Sequence, residues 1–198
     1  MIRFFDIIFS FFGLLVLSPV FFIIALCIAL DSKGGVFYKQ VRVGKNNVEF
    51  ELYKFRTMTA GSDKGSLITI GVNDSRITKM GYFLRKYKLD ELPQLINVLR
   101  GDMSFVGPRP EVRKYVDLYD NEQQRVLSVA PGITDYASIE YMDENSLLGN
   151  ISDPDKAYIE QVMPEKLQYN MRYINNYTTK EYFKIIFLTV WKIIHCTH

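Results

Sequence analysis

Asp90 and Glu91 stand side by side in the run Lys88-Leu89-Asp90-Glu91-Leu92-Pro93-Gln94-Leu95, within the most cation-rich part of the chain. Arg76, Lys79, Arg85, Lys86 and Lys88 precede the pair, and Arg100 and Arg109 follow it. Adjacent carboxylates repel, so such a pair suits a bound metal ion, a proton relay or a solvated helix start. The surrounding cations narrow the choice toward an anionic ligand such as a phosphate, which a carboxylate approaches only when positive charge screens the repulsion. Lys54-Phe55-Arg56 and Pro108-Arg109-Pro110 add further cations. Each also has a bland reading, the first as an edge strand with snorkelling side chains and the second as a rigid turn.

Several elements must bring these residues together. Val36–Val41 and Phe50–Phe55 alternate apolar and polar residues around Gly44-Lys45-Asn46-Asn47, which predicts a β-hairpin carrying Lys54 and Arg56. Thr59–Asn73 is rich in Gly, Ser, Asp and Thr and reads as a loop. Ile77–Tyr87 reads as a helix with Ile77, Met80, Leu84 and Tyr87 on one face. A second helix is expected from Asp90 to about Arg100, with Asp90 as N-cap, Pro93 in the first turn and Gly101 as its stop. Glu111–Val129 reads as a polar amphipathic helix that Pro131-Gly132 closes. The tyrosines Tyr136, Tyr141, Tyr158, Tyr169, Tyr173 and Tyr177 fit packing or an interface better than sugar stacking.

The N-terminal segment sets the compartment. Ile7–Leu30 is apolar except for Ser10, Gly13, Ser18 and Pro19. A helix of that length covers roughly 36 Å, enough for a hydrocarbon core about 30 Å thick. A cleaved signal peptide fits poorly, because the apolar run is too long and no small-x-small site follows. Proline at mid-segment removes a donor and kinks the helix, and the Ser18 hydroxyl can bond a carbonyl so freed. Two half-helices of roughly 16–18 Å could then enter and leave by one face, in place of a single spanning helix. Lys33, Lys39 and Arg42 follow the segment while Arg3 alone precedes it, which assigns the remainder to the cytoplasmic side. Tyr177–Ile194 is again apolar but carries Lys180, Glu181, Lys184 and Lys192, as suits either an interfacial helix or one docked on the core. Composition excludes other classes. Net charge is +2, and neither zinc-finger spacing nor an RNP-like aromatic run supports nucleic-acid binding. The two cysteines, Cys27 and Cys196, lie in apolar segments and read as reduced thiols.

Asp90-Glu91-Leu92-Pro93-Gln94-Leu95, Asn97-Val98-Leu99, Gly101-Asp102-Met103-Ser104 and Val106-Gly107-Pro108-Arg109-Pro110 together resemble the core of the bacterial monotopic phosphoglycosyl transferases, also called bacterial sugar transferases. Arg42-x-Gly44, Lys54-Phe55-Arg56-Thr57-Met58, Asp74-x-Arg76-Ile77-Thr78, Leu84-Arg85 and Pro131-Gly132-Ile133-Thr134 extend the resemblance over nearly the whole chain. It implies a Mg²⁺-dependent transfer of sugar 1-phosphate from a nucleotide diphosphate sugar, usually a UDP-sugar, to a polyprenyl phosphate such as undecaprenyl phosphate. The route it implies is a covalent phosphosugar on the aspartate, with release of UMP. On this chain Asp90 becomes the nucleophile and Glu91 a metal-site carboxylate beside it. Lys54, Arg56, Arg76, Arg85 and Arg109 become contacts for phosphate or substrate, and Ser18-Pro19 the membrane break.

Two departures from the family pattern stand out. Asn47 replaces a frequent glycine, a change that a turn residue tolerant of positive φ accommodates. Asp135–Glu144 replaces a segment in which many relatives carry glycine and arginine, which bears on sugar or nucleotide recognition.

Elementary chemistry runs the same way. Carboxylates attack phosphorus competently, and a covalent intermediate divides one transfer into two steps. A helix N-terminus holds an aspartate ionised and attracts phosphate oxygens. Mg²⁺ takes one or two carboxylates plus substrate phosphates. The expected protein is α+β, mostly helical with a small β-hairpin, an N-terminal re-entrant helix-break-helix and interfacial amphipathic helices. Residues 1–32 form the membrane segment and residues 33–198 a catalytic domain on the cytoplasmic face of the bacterial inner membrane. Its partners are then the UDP-sugar, the polyprenyl phosphate, the bilayer and downstream glycosyltransferases. A transferase using another nucleotide donor and an inactive membrane-anchored scaffold are the competing readings.

Overall fold

The computed structural model describes residues 1–62, 74–141 and 154–195. These residues are mostly helical, with two small sheets and one long apolar N-terminal helix. That helix, α1 (Ile2–Asp31), is long and apolar enough to cross a membrane. It buries a stripe comprising Ile2, Asp6, Ser10, Ile24 and Ile28, while Phe4, Phe11, Phe12, Leu15, Val16, Phe22, Ile23 and Leu26 stay exposed. Four-residue steps put the buried set on one helix face, as the α-helical period requires. At Ser18-Pro19 the helix continues rather than stops. The Ser18 hydroxyl donates to the Leu15 carbonyl at 2.8 Å, the acceptor that Pro19 leaves without its helical N–H.

Both ends of α1 pack on the rest of the chain. Arg3 donates to the carbonyls of Val98 and Leu99, and Asp6 accepts from Ser104, Phe105 and Tyr182. At the other end Ile24 and Ile28 join Phe55 and Leu84 in an apolar cluster.

Strands β1 (Phe37–Val43) and β2 (Glu49–Phe55) form the expected antiparallel hairpin, in register from Phe37↔Phe55 to Val43↔Glu49. Asn46 and Asn47 take φ of 56° and 64° in its turn, so asparagine does stand in for the missing glycine. Helix α2 (Lys79–Lys86) starts two residues later than the Ile77 expected. Thr78 caps it by accepting from the Gly81 N–H, Leu84 is buried, and Tyr87 beyond its end is exposed. Helix α3 (Gln94–Arg100) ends, as anticipated, at Gly101 in the left-handed region.

The long helix expected over Glu111–Val129 is replaced by α4 (Arg113–Val116) and a separate 3₁₀ stretch, Gln123–Ser128. Asp120 accounts for the interruption. Its carboxylate accepts from the Glu122 and Gln123 N–H groups at 2.9 and 2.8 Å, a local bond that competes with the helical ladder. Burial of Tyr115, Val116, Tyr119 and Val126 against Val43, Met163 and Leu167 then overrides the amphipathic pattern.

A parallel pair without a local signal joins β3 (Ser104–Val106) to β4 (Gly132–Thr134). Here Gly132 lies so near Gly107 that a Cβ would come within 2.1 Å of the Gly107 nitrogen. Helix α5 (Tyr136–Glu140) follows. After it come α6 (Pro154–Ala157), a π-helical turn (Tyr158–Val162) and α7 (Met163–Asn175). The last helix, α8 (Thr179–His195), buries Tyr182 and Ile185 and exposes Phe187, Trp191 and Ile194. Tyr136, Tyr158 and Tyr173 are core residues. Most of the loop expected over residues 59–73, the end of the altered segment at residues 142–144, and Cys196 lie outside the described residues.

Candidate active site

The acidic pair sits in a tight turn, not at a capped helix start. Lys88, at φ 55°, turns the chain out of α2 into a 3₁₀ turn, Leu89–Glu91, and α3 begins only at Gln94 with Pro93 as its N-cap. Asp90 caps nothing: the neighbouring Glu91 and Leu92 N–H groups bond the Lys88 and Leu89 carbonyls within the turn, and Pro93 has no N–H to offer. Leu89 and Leu92 pack against the cluster of Ile24, Ile28, Phe55 and Leu84. Pulling those leucines inward draws the intervening carboxylates below the surface, and Asp90 ends 8% exposed.

The two acids have opposite surroundings. Glu91 is held between Lys54 Nζ at 2.8 Å and Arg109 Nη2 at 2.5 Å, both on Oε1, with Arg109 Nη1 at 3.4 Å from Oε2. Burial pushes its pKa up, but Arg109 and Lys54 outweigh that and hold it well below the usual glutamate range. Asp90 accepts no hydrogen bond among the described residues. Burial raises its pKa and Glu91 adds to the rise, against the opposing fields of Lys54, Arg85 and Lys88. This reverses the depressed pKa expected of a helix N-cap. Lys54 is pushed down by burial, with Glu91 opposing and Arg109 reinforcing the shift.

Distinct elements fix each cation. Lys54 shares a face of β2 with buried Leu52, which packs on Val98 and Met103. Arg109 lies between two prolines whose carbonyls are both tied: Pro108 accepts from Gly132 N at 2.9 Å and Pro110 from Arg42 Nη1 at 3.0 Å. Arg85, on α2, donates from Nε to the Thr57 hydroxyl at 2.9 Å.

Two of the expected contacts are occupied elsewhere. Arg56 is buried and donates to the carbonyls of Ile28, Ser32 and Lys33, closing the C-terminal end of α1. Arg76 forms a forked pair with Asp74, at 2.6 Å from Nη2 and 2.9 Å from Nε. Hydrogen bonds from Arg76 hold the Asp74 carboxyl down to about 2.

Asn97 was quoted above only as part of a motif, yet it joins β2 to α3. Fully buried, it accepts from Tyr53 N at 2.9 Å and donates to the Glu51 carbonyl at 2.7 Å and to Asp102 at 3.1 Å. The available signal was an amide set among Leu95, Val98 and Leu99, where an unpaired polar group would be costly.

No group of three or more His, Cys, Asp or Glu side chains that could hold a metal occurs among the described residues. The donor set is therefore Asp90, with open lone pairs, and the less encumbered Oε2 of Glu91. Such a pair fits a hard cation that takes its other ligands from a phosphate and water. Taken together, a carboxylate that takes no hydrogen bond from the described residues, a cation-locked neighbour, and Lys54, Arg85 and Lys88 in the field of Asp90 can accept a phosphoryl group.

Known proteins resemble this chain along nearly its whole length. Residues 1–196 match the family described as bacterial sugar transferase. A UDP-glucose:undecaprenyl-phosphate glucose-1-phosphate transferase of Klebsiella pneumoniae is 38% identical over 190 residues, covering 94% of this chain and 38% of that protein. A UDP-N-acetylgalactosamine-undecaprenyl-phosphate N-acetylgalactosaminephosphotransferase of Aeromonas hydrophila is 37% identical over 180 residues, covering 89% of this chain and 40% of its own. An uncharacterized sugar transferase, EpsL, of Bacillus subtilis (strain 168) is 37% identical over 193 residues, covering 97% of this chain and 86% of its own. The chain thus spans about two fifths of the length of the first two relatives.

Proposed function

This chain belongs to the bacterial sugar transferase family, and on that premise we propose that it moves a sugar 1-phosphate from a UDP-sugar to a polyprenyl phosphate such as undecaprenyl phosphate, starting a surface glycan. The observation that carries the reading is the asymmetry of the acidic pair. Asp90 is 8% exposed and takes no hydrogen bond from the described residues, while two cations neutralise its neighbour, which leaves the Asp90 oxygens open to act as a nucleophile. An inactive anchor has no use for that arrangement.

In the proposed reaction an Asp90 carboxylate oxygen attacks the phosphorus that bears the sugar. The new oxygen–phosphorus bond replaces the anhydride bond, and UMP departs with the bridging oxygen. A polyprenyl phosphate oxygen then attacks the same phosphorus, releasing Asp90 and leaving a polyprenyl diphosphate sugar. Asp90's burial makes it a stronger base than a solvated carboxylate, while Lys54 and Arg109 keep Glu91 ionised beside it. Arg85 presents its guanidinium to the phosphoryl oxygens. Mg²⁺, held by Glu91 and Asp90 together with donor phosphates, would supply charge neutralisation for the leaving UMP.

The membrane reading follows from α1. Its exposed apolar face and the outward Phe187, Trp191 and Ile194 of α8 belong in lipid, beside the acceptor. Contacts from both ends of α1 to one body support re-entry through the face it entered, by a bend at Ser18-Pro19 within a helix that stays continuous there. Lys33, Lys39 and Arg42 favour the cytoplasmic side. A cysteine at position 2 should resist an impermeant thiol reagent in intact cells and label after permeabilisation; ready labelling from outside indicates a spanning helix.

The deciding experiment supplies purified protein with undecaprenyl phosphate, Mg²⁺ and a panel of UDP-sugars, and measures UMP. Release with one or a few sugars is expected. No release from any sugar, by folded protein in lipid nanodiscs, overturns the assignment.

A further inference from the structure

We propose that Thr57 is a positioning residue that aims Arg85 at the transferring phosphoryl group, an inference that rests on the function proposed above. Thr57 is 7% exposed and follows β2 directly. Its hydroxyl accepts from Arg85 Nε at 2.9 Å, and among the described residues this is the hydrogen bond that Arg85 makes. The other four cations expected to contact substrate have protein acceptors: Lys54 and Arg109 on Glu91, Arg76 on Asp74, Arg56 on the carbonyls ending α1. Arg85 keeps two terminal nitrogens for a ligand, and a guanidinium tied at Nε has its plane fixed while its fork stays open.

The approach that makes this contact is built into the backbone. Thr57 O accepts from Thr78 N at 3.0 Å, and Thr78 in turn caps α2. Gly81 presses on the same residue so closely that a Cβ there would sit 2.0 Å from Thr57 O. Gly81 and Arg85 are four apart and share a face of α2. The glycine thus lets the helix reach the strand end at the height where Arg85 meets the Thr57 hydroxyl. Leu84, beside Arg85 on α2, packs with Leu89 and Leu92, the leucines that flank the acidic pair, so α2 brings Arg85 to the acidic turn, where it and Asp90 lie in each other's field. Threonine is stiff at χ1, so a buried Thr57 offers a fixed acceptor.

The test is a double-mutant cycle of Thr57→Val and Arg85→Ala in lipid nanodiscs, with Thr57→Ser as the conservative control. Loss of one hydrogen bond to a charged group predicts roughly a tenfold fall in kcat for Thr57→Val, with a smaller change in KM for the donor. Thr57→Ser should stay within about threefold of wild type, since it keeps the acceptor. Thr57→Val should add nothing in the Arg85→Ala background; additive losses show a merely structural residue and overturn the proposal. If Thr57→Val does not fold, Thr57→Ala read against Thr57→Ser in the same cycle decides. Should wild type release no UMP from any UDP-sugar, the broader reading fails separately, and calorimetric titration with inorganic pyrophosphate still judges Thr57. Weaker binding by Thr57→Val but not by Thr57→Ser then supports the positioning role, and equal binding by all three overturns it.

Discussion

Asp6 and Asp90 are both buried carboxylates on the same body, 2% and 8% exposed, and they are treated in opposite ways. Asp6 Oδ1 accepts from Ser104 Oγ at 3.0 Å, Phe105 N at 3.0 Å and Tyr182 Oη at 2.9 Å, which ties α1 to β3 and α8. Asp90 has Lys54, Arg85 and Lys88 in its field but no hydrogen-bond donor among the described residues. A buried acid surrounded by donors holds elements together; one left short of donors is kept for a ligand that brings its own. Glu91 lies between these cases, held on Oε1 by Lys54 and Arg109 with Oε2 less encumbered, and adjacent to Asp90.

The contrast breaks most sharply at Asp90. Asp90→Asn should abolish UMP release, a loss of at least about a thousandfold if Asp90 is the nucleophile. Wild type given donor without acceptor should gain one phosphosugar on the peptide containing Asp90, read by mass spectrometry. Its pKa is raised in the fold, so the ionised form costs stability at neutral pH and that cost disappears as pH falls. Asp90→Asn should therefore melt no lower than wild type. For the same reason the acid limb of kcat/KM should lie above the ordinary aspartate value of about 3.9. A limb at or below that value contradicts the buried nucleophile.

Glu91 should show a mixed effect. Glu91→Gln leaves Lys54 and Arg109 facing a neutral amide, so activity should fall on the order of a hundredfold and stability by about 3 kcal/mol. Because the folded pKa of Glu91 is depressed, its stabilisation is present above the unfolded glutamate value of about 4.3 and disappears as pH falls through the lower folded value. The Gln variant should lack that acid transition in a melting-temperature series. EDTA should inactivate the wild type; activity indifferent to EDTA removes Mg²⁺ from the proposal.

Asp6 gives the smallest catalytic effect. Asp6→Ala strands the Ser104, Phe105 and Tyr182 donors, with an expected loss of about 2 kcal/mol or more in stability. Activity per folded molecule should stay within a fewfold of wild type, measured below the melting point. A large fall in kcat at unchanged stability would erase the distinction between the two acids.

Local features of the sequence were sufficient for the hairpin, its asparagine turn, α2, the Gly101 stop and α8, because alternation, 3.6-residue periodicity and left-handed φ are written within a few neighbouring residues. The ordered motif blocks marked Asp90, Glu91, Lys54, Arg56, Arg76, Arg85 and Arg109 as candidates before any geometry was known. The partition among them required the tertiary structure. Nothing in the local run separates a cation-locked Glu91 from a donor-poor Asp90, since Lys54 and Arg109 reach them from 37 and 18 residues away. The same holds for Arg56, which faces the end of α1, and for the parallel β3–β4 pair that orients the Arg109 turn. Glu111–Val129 failed as a helix because Asp120 and the burial of its tyrosines outweighed its period. Periodicity and turn chemistry act over a few residues and are legible in order; charge state and donor count depend on which distant groups packing brings within hydrogen-bond reach.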